Sequence, residues 1–504
     1  MSLISARFTG LVFFLSLTLG IDHILPVPLQ VQEPTWTEAQ AQGPPMGTML
    51  LQKSLLNGRY FATPDGRIRY LNGGYEGSEF QDYVFGGSTT SDFQTALDML
   101  SIHGGNLLRL WTSESGRGSQ AVKGAMQMPW VRSAVCCAAD GDNKFDLSRF
   151  DVGNLTSPEI NSVHYFERMR ARVIAARAEG VYVSIMLWHS FGWENGGRIP
   201  SNRSWAAHPF NSRNNINGVN GDPDGDGQGL ELGSLGQAFT PYQEAYVRQL
   251  IDAVGDLDNV LYEICNECYD DPETNAWQQY FMEFIRTYEG AQGYRNPVGL
   301  TSLQNFNNHV LANSSADFIS PGGPTYEQKP PVAMHDQVSI LDMDHVAPCT
   351  GSNDPQWPWK AFARGHNLWY IYCQGYGKPN GSEAAILDRM GQTRTYAGRM
   401  SLADSVPETN PSVCSTRYCL MGPDSILGVL PDGGSITLEL RAGTWSVEWF
   451  DPASGNTTVG SPVREGSREL AAPFLGEAVV FLVRNGAPPS GPWQAPAYAV
   501  AGKR

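Results

Sequence analysis

The sequence predicts an α/β chain built as a (β/α)8 TIM barrel followed by a small C-terminal antiparallel β-sandwich. Two observations carry this. Apolar, β-branched runs alternate with stretches of helical spacing through most of the chain, the rhythm of a parallel sheet wound with helices. From about Arg417 that rhythm gives way to short alternating strands broken by turn residues, the mark of an antiparallel domain.

Taken in order, the expected strands are Ile68–Leu71, Asn106–Trp111, Val181–Trp188, Asn259–Cys265, Val298–Leu303, Phe318–Ser320, Val338–Asp342 and Leu368–Cys373. Expected helices fill the gaps at Asp92–Ile102, Tyr165–Glu179, Pro241–Val254, Ala276–Glu289, Trp357–Arg364 and Glu383–Leu402. The first helix shows the logic: Phe93, Ala96, Leu97 and Leu100 recur at helical spacing and make one apolar face. In the C-terminal part, Ser425–Leu430, Ser435–Leu440, Thr444–Phe450 and Ala478–Val483 read as strands, with Pro431-Asp432-Gly433-Gly434 as a turn. The expected domains are a barrel over 50–408 and a sandwich over 412–485, with a Pro- and Ala-rich tail over 486–504.

Residues 1–41 read as a signal peptide. Arg7 precedes the apolar run Phe8–Gly20, which Asp22 interrupts short of the roughly 20 residues that span a bilayer. A small-residue cleavage pattern stands at Ala39-Gln40-Ala41. The expectation is a secreted, periplasmic or extracellular protein with no membrane association once the signal is removed. Eight cysteines, at 136, 137, 265, 268, 349, 373, 414 and 419, suit an oxidising compartment. Cys265 and Cys268 form a lone C-x-x-C, which without a second ligand pair points to a disulfide or buried thiols rather than zinc.

Composition narrows the function. Of 504 residues, 41% are hydrophobic and 17% charged, which excludes wholesale disorder and coiled coil. The 51 acidic residues against 35 basic ones give a net charge of −16, which repels nucleic acid and anionic membranes. No nucleic-acid partner is expected, and nothing in the sequence speaks to oligomeric state.

In a TIM barrel the chemistry sits where strands end at the C-terminal face. The fourth strand ends in Asn266 and Glu267. A Glu on a rigid strand end is suited to general acid work on a glycosidic oxygen, and the neighbouring amide to a sugar hydroxyl. The seventh strand closes in Asp342-Met343-Asp344-His345. Strand alternation puts Asp342 and Asp344 on one face if the strand persists that far. Asp344 is favoured as the second catalytic group because it stands further beyond the apolar run Val338–Leu341, with Asp342 as a supporting group. His345 would adjust a carboxylate's charge or bind substrate. Arg109 on the second strand reads as an ion-pairing cation or a site residue. Trp111, Glu114, His189, Trp193 and Glu194 follow strands two and three and Trp188 ends the third, a group whose aromatic faces suit sugars, with Tyr75, Glu76, Glu79 and Asp82 after strand one as weaker candidates for substrate contact. The run Asp222-Pro-Asp224-Gly-Asp226-Gly227 has oxygen ligands at alternate positions, the chemistry of a structural calcium loop. Gly233 stands where an EF-hand requires Glu. No other cofactor is required.

The chain resembles the clan A glycoside hydrolases, which include the family 5 cellulases, and further resembles secreted barrel proteins labelled cellulase-like or collagen-binding. The resemblance covers Tyr60–Asp82, Asn106–Thr112, Asn214–Gly227, Tyr246–Glu267, Ile340–His345 and Trp357–His366, and is most specific at Asn266-Glu267. It implies a retaining glycosidase acting on a poly- or oligosaccharide, with Glu267 as acid/base and Arg109 holding the nucleophile ionised. The chain departs from the family after the seventh strand, where clan A enzymes mostly carry Glu and this sequence offers Asp342 and Asp344. The alternative function is a non-catalytic carbohydrate- or matrix-binding barrel, which has no need of two opposed carboxylates. A peptidase finds no support, since neither H-E-x-x-H nor G-x-S-x-G occurs.

Overall fold

The structure, a computed structural model, describes residues 49–75, 80, 93–112, 128–194, 204–346, 354–372 and 381–486. The signal segment, Glu76, Glu79, Asp82, Glu114, Cys349, Cys373 and nearly all of the tail lie outside the described residues. Eight parallel strands close into a barrel: β1 (Asn72–Tyr75), β2 (Leu107–Trp111), β3 (Tyr182–His189), β4 (Val260–Asn266), β5 (Val298–Thr301), β6 (Phe318–Ser320), β7 (Val338–Asp342) and β8 (Asn367–Ile371). Closure is made by β8 pairing with β1, from Leu368 opposite Asn72 to Ile371 opposite Tyr75.

The first strand departs from expectation. Ile68–Arg69 pairs with Phe61–Ala62 in a separate three-stranded antiparallel sheet, and the barrel strand is the Asn-Gly-Gly-Tyr that follows. The glycines explain the choice. A Cβ on Gly73 would stand 1.7 Å from the Leu107 carbonyl oxygen, and one on Gly74 would stand 2.5 Å from that of Tyr370. Only a strand stripped of side chains fits so close to both neighbours.

Outside the strands run α1 (Phe93–Ile102), α2 (Tyr165–Ala178), α3 (Thr240–Val254), α4 (Pro272–Gln292), α5 (Asn308–Ala312), α6 (Trp357–Ala363) and α7 (Gly381–Ala397). Helix α4 begins earlier than its apolar spacing suggests because Asp271 caps it, accepting from the Glu273 and Thr274 amides at 2.9 Å each, with Pro272 in the first turn. Side chains such as Leu107, Tyr182, Leu261, Phe318, Ile340 and Trp369 form one buried cluster. Val183, Ile185, Val260 and Ile264 pack in another with Tyr246, Leu250, Trp277 and Phe281 of the helices. An unforeseen hairpin, Trp130–Cys136 with Asn143–Phe150, interrupts the connection from β2 to α2. Among the described residues no helix is long and apolar enough to cross a membrane.

The C-terminal domain is one six-stranded antiparallel sheet in the order β9 (Val406–Glu408), β10 (Cys419–Met421), β11 (Ser425–Leu430), β14 (Ala478–Arg484), β12 (Ser435–Asp451), β13 (Asn456–Ala471). It starts inside the segment assigned to the barrel. The two strands expected over Ser435–Leu440 and Thr444–Phe450 are one, with a register shift between Leu440 and Thr444. Leu420, Leu427, Val429, Val479 and Phe481 pack with Trp359, Phe362 and Tyr396 of α6 and α7. Arg399 adds two bonds to Glu448, at 2.6 and 2.9 Å.

Candidate functional site

Beneath the ends of β1, β2, β4 and β7 lies a buried network centred on Arg109, which is fully enclosed. Its Nε donates to Oε2 of Glu263 at 2.8 Å, and Nη2 donates to Oε1 of Glu263 and, at 2.7 Å, to Oδ1 of Asn266. Nη1 donates to the Tyr75 hydroxyl at 2.9 Å and to Oδ2 of Asp342 at 3.0 Å. These five bonds match the five N–H groups of a guanidinium. The rings of Tyr75, Trp111 and Trp369 stand 4.9, 5.5 and 5.4 Å from its central carbon. Burial opposes the Arg109 charge, but Glu263, Tyr75 and Asp342 together hold its pKa well above the usual range. Burial pushes both carboxyls up, and Arg109 pulls them back.

The two seventh-strand aspartates are separated by a change of structure. β7 ends at Asp342, and Met343–Val346 is a single helical turn, so the alternation that would have put both on one strand face stops. Asp342 is fully buried and accepts from the Tyr75 hydroxyl at 2.8 Å and from the Asp344 amide at 3.1 Å. Asp344 instead joins Glu267 and His345. One carboxylate oxygen from each acid and one ring nitrogen of His345 all lie within 4.8 Å of one another.

Glu267 follows directly on β4 with a φ of 49°. A non-glycine residue in this left-handed region carries roughly 1–3 kcal/mol of strain and persists only where its surroundings fix it. They do so through three carbonyls. The Ser190 hydroxyl donates to Glu267 O at 2.8 Å, the Thr301 hydroxyl to Cys265 O at 2.7 Å, and the Gln304 amide to Cys268 O at 3.2 Å.

Asn266 is oriented from both sides. Its Oδ1 takes the Arg109 bond and lies 3.1 Å from Nε2 of His345, so the imidazole is the donor and its Nδ1 faces the Ser320 hydroxyl at 3.3 Å. The Asn266 Nδ2 is buried and has no hydrogen-bond partner among the described residues. Trp111 stacks between Tyr75 and His189, at centroid separations of 5.8 and 5.9 Å.

The structure thus gathers Glu267, Asp344, Asp342, Asn266, Arg109, His345 and Tyr75, with Trp111 and His189 beside them. Trp193 is not brought there. The short turn Ser190–Gly192 folds it back, fully buried, against Trp277 at 5.7 Å. Trp188 likewise packs on Trp277 and Phe281. Glu194 accepts from Tyr269 and Gln304. Sequence reasoning missed Glu263, whose signal was an acid in the middle of the apolar run Val260–Cys265, and Trp369, an aromatic on β8.

The calcium reading also shifts. Asp226 is turned to the backbone and side chain of Gln228, at 2.8 and 3.1 Å, and the oxygens that converge belong to Asp222, Asp224 and Glu231. Asp222 already accepts from the Gly225 and Gly227 amides at 2.8 and 3.0 Å. Burial, with the three aspartates, pushes the Glu231 carboxyl up.

No family model and no curated protein matches the sequence. Among solved structures the chain is similar to one described as a glycoside hydrolase, at 11% identity and a TM-score of 0.55, over 88% of this chain and 98% of that one. It is similar also to a glycoside hydrolase family 5 protein from Bacteroides vulgatus, at 12% identity and a TM-score of 0.54, over 86% and 93% of the two chains. These likenesses establish the fold.

Proposed function

We propose that the protein is a secreted glycoside hydrolase that cleaves O-glycosidic bonds of a poly- or oligosaccharide with retention of configuration. The observation that carries this is the meeting of Glu267 and Asp344, with oxygens within 4.8 Å of each other. Retaining enzymes hold their two carboxyl groups about 5–5.5 Å apart, whereas inverting ones leave about 6.5–9.5 Å for a water. Glu267 protonates the leaving oxygen while Asp344 attacks the anomeric carbon, giving a glycosyl ester. Glu267, now a base, takes a proton from the water that releases the sugar. The Asn266 Nδ2, without a partner among the described residues, supplies a donor for a sugar hydroxyl, and Trp111 a ring face. Arg109 contacts Asp342 rather than Asp344, so its part is to fix Asn266 and the floor of the site. Export is supported by Arg7 and the run Phe8–Gly20.

The test is release of sugar from a panel of plant and microbial glycans, read by mass spectrometry, for the wild type and Glu267→Gln. The amide cannot give a proton, so turnover of natural glycans is lost while the first step on an aryl glycoside with a good leaving group is spared. Equal activity of the variant on natural glycan removes Glu267 from the acid role. Glycan binding with no release by the wild type turns the reading to a binding protein.

A further inference from the structure

Cysteines stand on both sides of the Asn266-Glu267 pair, at 265 and 268. Both are fully buried, their sulfurs face each other, and their Cα atoms are 5.9 Å apart, within the range a disulfide spans. We propose that Cys265 and Cys268 form a disulfide that acts as a positioning clamp on the proposed acid/base, closing a ring around Asn266 and Glu267 and holding the Glu267 carboxyl opposite Asp344. The inference rests on the hydrolase reading and deepens it.

Cross-linking of the fold is a poor explanation for this pair. A bond between residues three apart closes a very short loop and so removes little freedom from the unfolded chain. What it does restrain is the backbone of the two residues inside the ring, one of which holds a left-handed φ of 49°. Other restraints come from outside the segment: Ser190, in the turn after β3, on the Glu267 carbonyl, Thr301 of β5 on that of Cys265 and Gln304, past β5, on that of Cys268. These three act from outside the Cys265–Cys268 segment, and the sulfur bridge adds a restraint from within it. The bond forms by exchange with a disulfide oxidant: two protein thiols give up two electrons and two protons, and the oxidant leaves as two thiols. A dithiol reverses the exchange.

The experiment compares the wild-type chain, Glu267→Gln, the double variant Cys265→Ala/Cys268→Ala and, as a control, Cys414→Ala/Cys419→Ala, whose pair lies in and beside the C-terminal sheet. In the wild type, peptide mapping without reduction finds Cys265 bonded to Cys268. For the clamp variant, kcat on a natural glycan falls roughly tenfold to a hundredfold, the scale of a catalytic group displaced by about 1 Å, while KM changes little. The loss is much smaller on an aryl glycoside whose leaving group needs no proton. The control keeps wild-type turnover. If the clamp variant fails to fold, the wild type is titrated with dithiothreitol and reoxidised with oxidised glutathione, and kcat follows the mapped 265–268 bond down and back. Free thiols at both positions, bonds from either to Cys349 or Cys373, or wild-type kcat without the bond overturn the clamp. The hydrolase reading fails separately, as a Glu267→Gln variant no different from the wild type.

Discussion

Nη1 of Arg109 lies 3.0 Å from Oδ2 of Asp342 where neither side chain meets solvent. The same guanidinium is bonded to Glu263 along its other edge, so one cation is shared by two buried carboxylates. Asp342 accepts from the Tyr75 hydroxyl, from Arg109 and from the Asp344 amide. Asp342 therefore belongs to the buried floor of the site, whereas Asp344 stands on the turn Met343–Val346 beside Glu267 and His345.

Exchanging each aspartate for asparagine separates these parts. Asp344→Asn should lose nearly all turnover, and azide should restore it with inverted anomeric configuration. Asp342→Asn should keep measurable turnover but lose stability by about 3–5 kcal/mol, because an amide N–H₂ must face a donor and Arg109 loses a buried partner. Azide rescue of Asp342→Asn instead reverses the two roles.

Glu263→Gln tests the other edge of the guanidinium. Both carboxylate oxygens accept from Arg109, and an amide can keep only one of these bonds. Breaking a buried pair from one side costs about 3–5 kcal/mol, so the urea midpoint should drop with the m-value unchanged. Catalysis should fall as well, since Arg109 also holds Oδ1 of Asn266. A variant within about 1 kcal/mol of the wild type means that this pair contributes little net stability.

The barrel was legible because six of its strands are apolar runs long enough to stand out from their flanks. β1 was not, because its fitness lies in missing side chains. Gly73 has the low strand propensity that pattern reading penalises, yet close contact with Leu107 requires it. Gly73→Ala should accordingly prevent a stable barrel, seen as loss of the cooperative thermal transition. At the site, Asn266 and Glu267 were readable as a strand ending in polar groups. Glu263 was hidden, because one acid inside an apolar run is overruled by its neighbours until Arg109 supplies a partner. Strand reach favours Asp344 from the sequence, but β7 stops at Asp342 and Asp344 stands on the turn Met343–Val346.

The pH dependence of stability should show opposing groups. His366 is enclosed between the Ser339 hydroxyl and the Pro331 carbonyl, each at 2.8 Å, and burial, with Arg364 and Arg59 nearby, pushes its pKa from 6.5 down to about 4. Below pH 6.5 the unfolded chain binds a proton that the folded one refuses, so this contribution is present above pH 6.5 and is lost as pH falls toward 4, about 3 kcal/mol in all. His208, which burial pushes down to about 3, acts in the same direction. Glu289 does the reverse. Burial raises it from 4.5 to about 7 against the two bonds it accepts from Asn296, so the folded chain keeps a proton that the unfolded one has lost. That stability is full below pH 4.5 and disappears as pH rises toward 7, again about 3 kcal/mol. Among these three groups the two histidines outweigh the one carboxyl on acidification from pH 6.5 to 4.5, while the raised Glu263 and Asp342 carboxyls act with Glu289. His366→Gln should flatten the slope and Glu289→Gln should steepen it, both read from urea midpoints across that range. Parallel curves for the wild type and Glu289→Gln would show that Glu289 titrates alike in the folded and unfolded chains.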